Sequence, residues 1–428
     1  IFRVIELLSL ALIVVALLGA PLFAVLAGAA MLGFTDNETP LTVIGIELYR
    51  LVDTPILLAL PLFTYAGYVL GEGQTSQRLV RLTRAALGWL PGGLAIVAFC
   101  TCAFFTAFTG ASGATIVALG ALLYPALKQA GYPDKFSLGL VTTSGSLGLL
   151  LPPSLPLILF AIIAQQLPQG SSVSIEAMFK AGLLPSLLMV SFLCVYGYYV
   201  TRKNDIPLYA FSWSELRLAA AEAKWELPLP VFVLGGIYGG YFAVSEAAAV
   251  TALYVTVMSV LIYREISLSQ LVRIMREAMV MVGAILLILG VAMAFTNWLV
   301  EAEIPTRLFE LTKQYIESKW TFLLLLNVFL LMLGCFLDIF SALVIMVPLL
   351  LPIAAGYGIN PVHLGIIFLA NMELGYCTPP VGMNLMIASF RFKRPMSELY
   401  QTTIPFLLVL MVAVIIITYV PWLSLALL

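Results

Sequence analysis

The sequence predicts an all-α polytopic membrane protein made of two inverted repeats, each with a re-entrant helical hairpin and a broken transmembrane helix. Three observations predict it: the composition, two Pro-Pro breaks inside long apolar segments, and an internal repeat. Of the 428 residues 62% are hydrophobic and 10% charged, with a mean hydropathy of +1.07, whereas soluble domains carry roughly 25% charged residues. The breaks are Gly148-Leu-Leu-Leu-Pro152-Pro153 and Gly375-Tyr-Cys-Thr378-Pro379-Pro380. Proline lacks an N–H and clashes with the preceding turn, so each pair frees backbone carbonyls. In lipid that is tolerated only where the freed groups are buried in protein or line a polar cavity. Matched breaks in two halves mark a transporter's binding site better than any other sequence feature.

In order, an apolar run over residues 4–34 is divided at Gly19-Ala-Pro21, and a second covers 47–71. An amphipathic piece follows, with Arg78, Arg81 and Arg84 on one helix face. Apolar helices over 90–109 and 114–130 are joined by Thr109-Gly110-Ala-Ser112-Gly113-Ala-Thr115, too tight a turn to leave the membrane region. The first broken helix spans 135–165, and 178–200 crosses again. A polar connector, 201–226, separates a first repeat, 1–200, from a second, 227–428.

Adding 227 maps the first repeat onto the second: hairpin 90–131 onto 320–356, broken helix 135–165 onto 361–391, arm onto 305–319, last span onto 405–428. Pro125/Pro352, Gly131/Gly358, Gly148/Gly375, Pro152/Pro379 and Pro153/Pro380 coincide at that single offset. If the opening run of each half is two short crossings, divided at Gly19–Pro21 and near Tyr241–Ser245, each half crosses five times around one hairpin and the halves are inverted. One side then holds every Lys and Arg except Arg3, Arg50, Lys180, Arg307, Lys313 and Lys319, that is 15 of 21. The positive-inside rule makes that side, with the connector, cytoplasmic and both termini periplasmic. Ile1 and an immediate spanning run without a cleavable signal pattern fit a chain trimmed from a longer product.

The two hairpins open to opposite sides, so their tips are expected to meet at mid-membrane. The first tip, with free carbonyls before it and helix N-terminal N–H groups after it, suits an alkali cation or an anion, or simply close helix packing. The second, Gly334-Cys-Phe-Leu-Asp338-Ile-Phe-Ser341, carries an acid in apolar surroundings. Asp338 could ligate Na⁺, carry a proton or cap the following helix. Ser144, Ser146, Asn371, Glu373, Thr378 and Asn384 lie beside the breaks, and their oxygens suit a monovalent cation. Glu373 reads equally as a structural hydrogen-bonder or a coupling group. His363 and the five cysteines show no metal or disulfide spacing and read as packing residues. No nucleotide fingerprint or nucleophile–base pair appears, so the chain is expected not to be an enzyme. Sparse, scattered Lys and Arg give no reason to expect nucleic acid.

Phe108-Thr-Gly-Ala-Ser-Gly-Ala-Thr115, Gly145-Ser-Leu-Gly-Leu-Leu-Leu-Pro-Pro-Ser154, Gly235-Gly-Ile-Tyr-Gly-Gly-Tyr-Phe242 with Glu246-Ala-Ala-Ala249, and Pro361-Val-His-Leu-Gly-Ile-Ile367 through Thr378-Pro-Pro-Val-Gly-Met-Asn-Leu385 carry a resemblance over essentially the whole length. In these stretches the chain resembles the large membrane subunit of tripartite ATP-independent periplasmic (TRAP) transporters. The resemblance implies an elevator-type secondary transporter of the ion transporter superfamily, fuelled by Na⁺ and needing no other cofactor, that imports an organic acid such as a sialic acid or a C4-dicarboxylate. It also implies a small four-helix membrane subunit, a periplasmic substrate-binding protein and residence in the cytoplasmic membrane of a bacterium or archaeon. On the matching tips and breaks it places Na⁺ at Gly110, Ser112, Gly113, Ser146, Gly148, Asp338, Ser341, Gly375 and Thr378. Substrate falls at Ser112, Thr115, Pro152, Ser154, Pro379 and Asn384. Residues 90–166 with 320–392 are the expected transport unit, the remainder the scaffold. Proton coupling and a passive anion channel are the alternatives.

Overall fold

The computed structural model describes residues 2–204, 206 and 209–428. Ile1, on which the reading of a trimmed start rests, and Asp205, Pro207 and Leu208 of the connector lie outside the described residues. The described chain is helical throughout. Six of its helices are long and apolar enough to cross a membrane, and further apolar helices of 10–17 residues lie among them.

The opening run is two helices, α1 (Phe2–Leu17) and α2 (Leu22–Asp36), parted where Gly19 takes a left-handed φ of 91° ahead of Pro21. The run expected over 47–71 is not continuous. It is α3 (Thr42–Val52), a 3₁₀ turn (Pro55–Leu58) and α4 (Ala59–Glu72), because Pro55 cannot continue a helix. Its counterpart in the second half has no proline and runs unbroken for 34 residues (Leu268–Glu301).

The arm, α5 (Thr75–Leu87), leads into the hairpin α6 (Gly93–Thr109) and α7 (Ser112–Gln129). Gly110, at φ 64°, turns the chain between its arms. The broken helix is α8 (Asp134–Thr143), a 3₁₀ turn at Ser144–Ser146, an irregular stretch, and α9 (Leu155–Gln165). With 1.5 Å of rise per residue, α8 and α9 are each about 15 Å long, half of a ~30 Å hydrocarbon core. The break therefore sits near mid-depth.

Next come α10 (Ile175–Lys203), started by the Ser174 side chain accepting from Ala177 N, and α11 (Trp213–Glu222) within the connector. The second half opens with α12 (Pro228–Tyr238) and α13 (Val244–Thr256), divided at Gly239–Ala243, then α14 (Leu268–Glu301) and the arm α15 (Ile304–Tyr315). The second hairpin is α16 (Lys319–Phe336) and α17 (Ile339–Gly356), and the second broken helix is α18 (Pro361–Gly375) and α19 (Met383–Phe392). The starts of α7 and α17, and of α8 and α18, are both 227 residues apart. The last span does not keep that offset. It is α20 (Met396–Tyr419), not 405–428, because the first half has the extra turn Pro168–Ser174 between α9 and α10. The second arm ends at Tyr315, and Lys319 already belongs to α16.

Two packings position the site. The second arm of each hairpin lies against the far half of the other half's broken helix, α7 on α19 and α17 on α9. Around this unit α4 packs on α13 and α14, and α2 on α14. His363 is buried in a structural setting, with Nδ1 3.0 Å from Ser424 Oγ and Nε2 3.1 Å from the Thr418 carbonyl. All five cysteines are free.

The first arm is held by charge. Arg78 donates to Glu226 at 2.5 Å and to Glu265, and its guanidinium covers the Tyr263 ring at 3.9 Å. Arg81 pairs with Glu215 and Glu222 of α11. The Arg78 and Glu226 side chains are only 11% and 2% exposed, so removing one partner strands the other. Arg78→Ala is expected to destabilise the protein by ~3 kcal/mol, read as a lowered unfolding midpoint in detergent. Arg84→Ala, on the exposed side of α5, is expected to leave the midpoint nearly unchanged.

Candidate functional site

Each hairpin tip meets the break of its own half. In the first half Thr106 is the joint: its hydroxyl is 2.7 Å from Thr115 Oγ1 across the turn and donates to the Gly145 carbonyl at 2.9 Å. Both threonines are buried. The break fits against the hairpin because Gly148 has no side chain: a Cβ there would lie 2.1 Å from Ala103 O and 2.4 Å from Ala107 N. At Gly145 a Cβ would lie 3.2 Å from the Ser112 carbonyl. Ser112 and Thr115 of the tip are thus brought against the break at Gly145–Gly148, whereas Gly110 faces Leu155 of α9 and Gly113 faces Ile387 of α19. No side chain caps α7, so the N–H groups of Ser112 and Gly113 stay free of side-chain acceptors.

The second half is built in the same way with different atoms. Gly375 packs on Gly334 so closely that a Cβ would fall 2.6 Å from Gly334 Cα. The Gly382 N–H donates to Cys335 O at 3.0 Å, the Cys335 thiol to Thr378 O at 3.2 Å, and the Ile339 N–H to the Tyr376 hydroxyl at 2.7 Å. Asp338 caps α17, with Oδ2 accepting from Phe340 N at 3.1 Å and Ser341 N at 3.0 Å. The capping role is therefore present. Its other oxygen, Oδ1, takes no hydrogen bond among the described residues. Thr378 Oγ1 is already committed to the Leu374 carbonyl, 2.9 Å away.

The two halves touch at Ser146. Its hydroxyl lies 3.4 Å from the Glu373 carbonyl and accepts from Asn384 Nδ2 at 3.1 Å. Asn384 is fully buried at this crossing and not on an open tip. Ser154 is turned inward too, donating to Leu149 O at 2.5 Å and so closing the irregular stretch that follows the first break. Pro152 is buried, whereas Pro379 is half-exposed. Both Pro-Pro peptides are cis. Neither oxygen of Glu373 meets a donor among the described residues. Asn371 donates to Asn327 Oδ1 at 2.5 Å, away from the crossing.

Thr106, Gly145, Tyr376 and Cys335 are members of this site that sequence reasoning missed. A small hydroxyl or thiol one turn before a hairpin tip was the available signal. It is weak in a chain where such residues are common.

An all-helical membrane protein with two hairpin-and-break units belongs to the class of multi-pass permeases, and comparison with known proteins gives the family. The tripartite ATP-independent periplasmic transporter, DctM component, matches residues 9–423. The C4-dicarboxylate TRAP transporter large permease protein DctM of Rhodobacter capsulatus is 36% identical over 402 residues, covering 92% of this chain and 91% of that protein. The Pseudomonas aeruginosa protein of the same name is 36% identical, covering 90% and 88%. The ectoine/5-hydroxyectoine TRAP transporter large permease protein UehC of Ruegeria pomeroyi is 31% identical, covering 97% and 96%. The chain belongs to the DctM family of TRAP transporter large permeases. The solved Alcanivorax borkumensis YdaH transporter has the same fold at 18% identity, with a TM-score of 0.63 over 90% of this chain and 88% of that one.

The glycine contacts give a test of the docking. Gly148→Ala and Gly375→Ala push a methyl into backbone that no rotamer change relieves, so each is expected to cost ~1 to 3 kcal/mol and lower the thermal unfolding midpoint. Gly283→Ala in α14, where a Cβ meets nothing within 4 Å, is expected to raise it or leave it unchanged.

Proposed function

We propose that this chain imports an organic acid across the cytoplasmic membrane of a bacterium or archaeon, driven by a Na⁺ gradient, by an elevator movement. It works with a small four-helix membrane subunit and receives its substrate from a periplasmic binding protein. Two hairpin tips docked on two helix breaks, joined at Ser146 in one buried core, carry this reading. Such a core moves as a unit more readily than it comes apart. Residues 90–166 with 320–392 are that unit, the remaining helices its scaffold, and the halves are inverted with both termini periplasmic.

One Na⁺ is held by Gly110, Ser112, Gly113, Ser146 and Gly148, a second by Asp338, Ser341, Gly375 and Thr378. The difference between the tips supports a division of labour: the uncapped start of α7 suits an anionic group, the free Asp338 oxygen a cation. Substrate then contacts Ser112 and Thr115 with the Pro152, Ser154, Pro379 and Asn384 region. The substrates in the relatives' names, C4-dicarboxylate and ectoine, both bear a carboxylate, and that shared chemistry supports an organic acid here.

Uptake into liposomes holding the chain with its small subunit, fed by the binding protein, tests the reading. Asp338→Asn keeps a capping oxygen but loses the charge, and is expected to raise the Na⁺ concentration for half-maximal uptake about tenfold or more. Ser112→Ala is expected to act in the same direction through the first site. Unchanged Na⁺ dependence in Asp338→Asn, or full uptake without any cation gradient, contradicts the proposal.

A further inference from the structure

Glu373 is 1% exposed near the end of α18, and neither carboxylate oxygen meets a donor among the described residues. Asn384, with no exposure at the start of α19, has an equally unpartnered Oδ1. The two residues belong to one cluster. Asn384 Nδ2 reaches Ser146 Oγ at 3.1 Å and Cys377 Sγ at 3.5 Å, Cys377 lies one turn beyond Glu373, and Ser146 Oγ lies 3.4 Å from the Glu373 carbonyl.

Three buried acceptors, one pair of them a carboxylate, therefore lie where the two broken helices cross. Dipoles alone do not compensate a buried carboxylate, which costs several kcal/mol unless a positive charge joins it. No Lys or Arg lies in the chain on either side, from Tyr357 to Phe390. A proton on Glu373 would give a donor for one acceptor and leave another unpaired. A small metal cation would satisfy all three, and one carboxylate with neutral oxygens matches a single positive charge.

We infer that Glu373 and Asn384 form a further Na⁺ site on the second broken helix, distinct from the two hairpin-tip sites and next to Ser146, which the first of them uses. It rests on the cation-coupled reading above and adds a third ion to it. Because its ligands stand on α18 and α19, this ion also fastens the two parts of the second broken helix together.

The test is binding of radioactive Na⁺ to the purified full-length chain by equilibrium dialysis at constant ionic strength, with K⁺ as the replacement ion, alongside thermal unfolding. Glu373→Gln is expected to bind one Na⁺ fewer per chain than the wild type and to lose part of the Na⁺-dependent rise in unfolding midpoint. Asn384→Leu is expected to weaken one Na⁺ about tenfold, and it decides the matter if Glu373→Gln does not fold. Unchanged stoichiometry in Glu373→Gln, or unchanged affinity in Asn384→Leu, overturns the inference. If Asp338→Asn still loses an ion in that case, the coupling reading stands without the third site. A wild-type chain that binds no Na⁺ overturns both.

Discussion

A helix that stops half-way through a bilayer must find partners for the backbone groups it leaves bare, and this structure is arranged around meeting that demand twice. Each break is covered by the tip of a hairpin. The cover works because the contact is between backbones: Gly148 lies under Ala103 and Ala107, Gly375 under Gly334. Side-chain bonds then close the remaining gaps, through Thr106 in one half and through Tyr376 and Cys335 in the other. A break and its hairpin consequently stand or fall together.

The same demand ties the halves to each other. A covered break still has a far end, and the far half of each broken helix lies on the opposite hairpin, α19 on α7 and α9 on α17. Hydrogen bonds at Ser146 complete the exchange. The first arm is fixed elsewhere, with Arg78 and Arg81 bound to the connector and to the loop before α14. Between that anchored arm and the hairpin, Gly88 to Gly93 offers a bend, with Gly92 left-handed at φ 85°. A fixed arm, a bend and a cohesive core are the parts on which the proposed elevator movement rests.

Much of this was legible because proline and glycine act locally. The Pro-Pro pairs and the Gly110, Gly131 and Gly358 turns place breaks and hairpin ends within a few residues of where the structure has them. Pro55, directly after Asp53-Thr54, carries the same signal, but the hydropathy run over 47–71 was read across it. The last span starts nine residues before its expected place: the link from α9 to α10 is six residues longer than that from α19 to α20, which an offset read from the breaks does not register, and α10 itself starts three residues before 178. Asp338 as a cap could be read from its place before an apolar run. That Glu373 meets no donor among the described residues could not, since it depends on which residues from distant segments surround it.

The central claim is that the hairpin core travels against its scaffold, and the contact between α4 and the first tip tests it most directly. A Cβ on Gly71 would lie 4.0 Å from Thr109 Cγ2, an ordinary contact that a disulfide pair could replace. In a chain whose native cysteines have been replaced, Gly71→Cys with Thr109→Cys is to be oxidised and uptake measured in liposomes with the partner proteins. The account predicts that the crosslink forms, stops uptake, and releases it again on reduction. A crosslinked protein that transports at the uncrosslinked rate would contradict it.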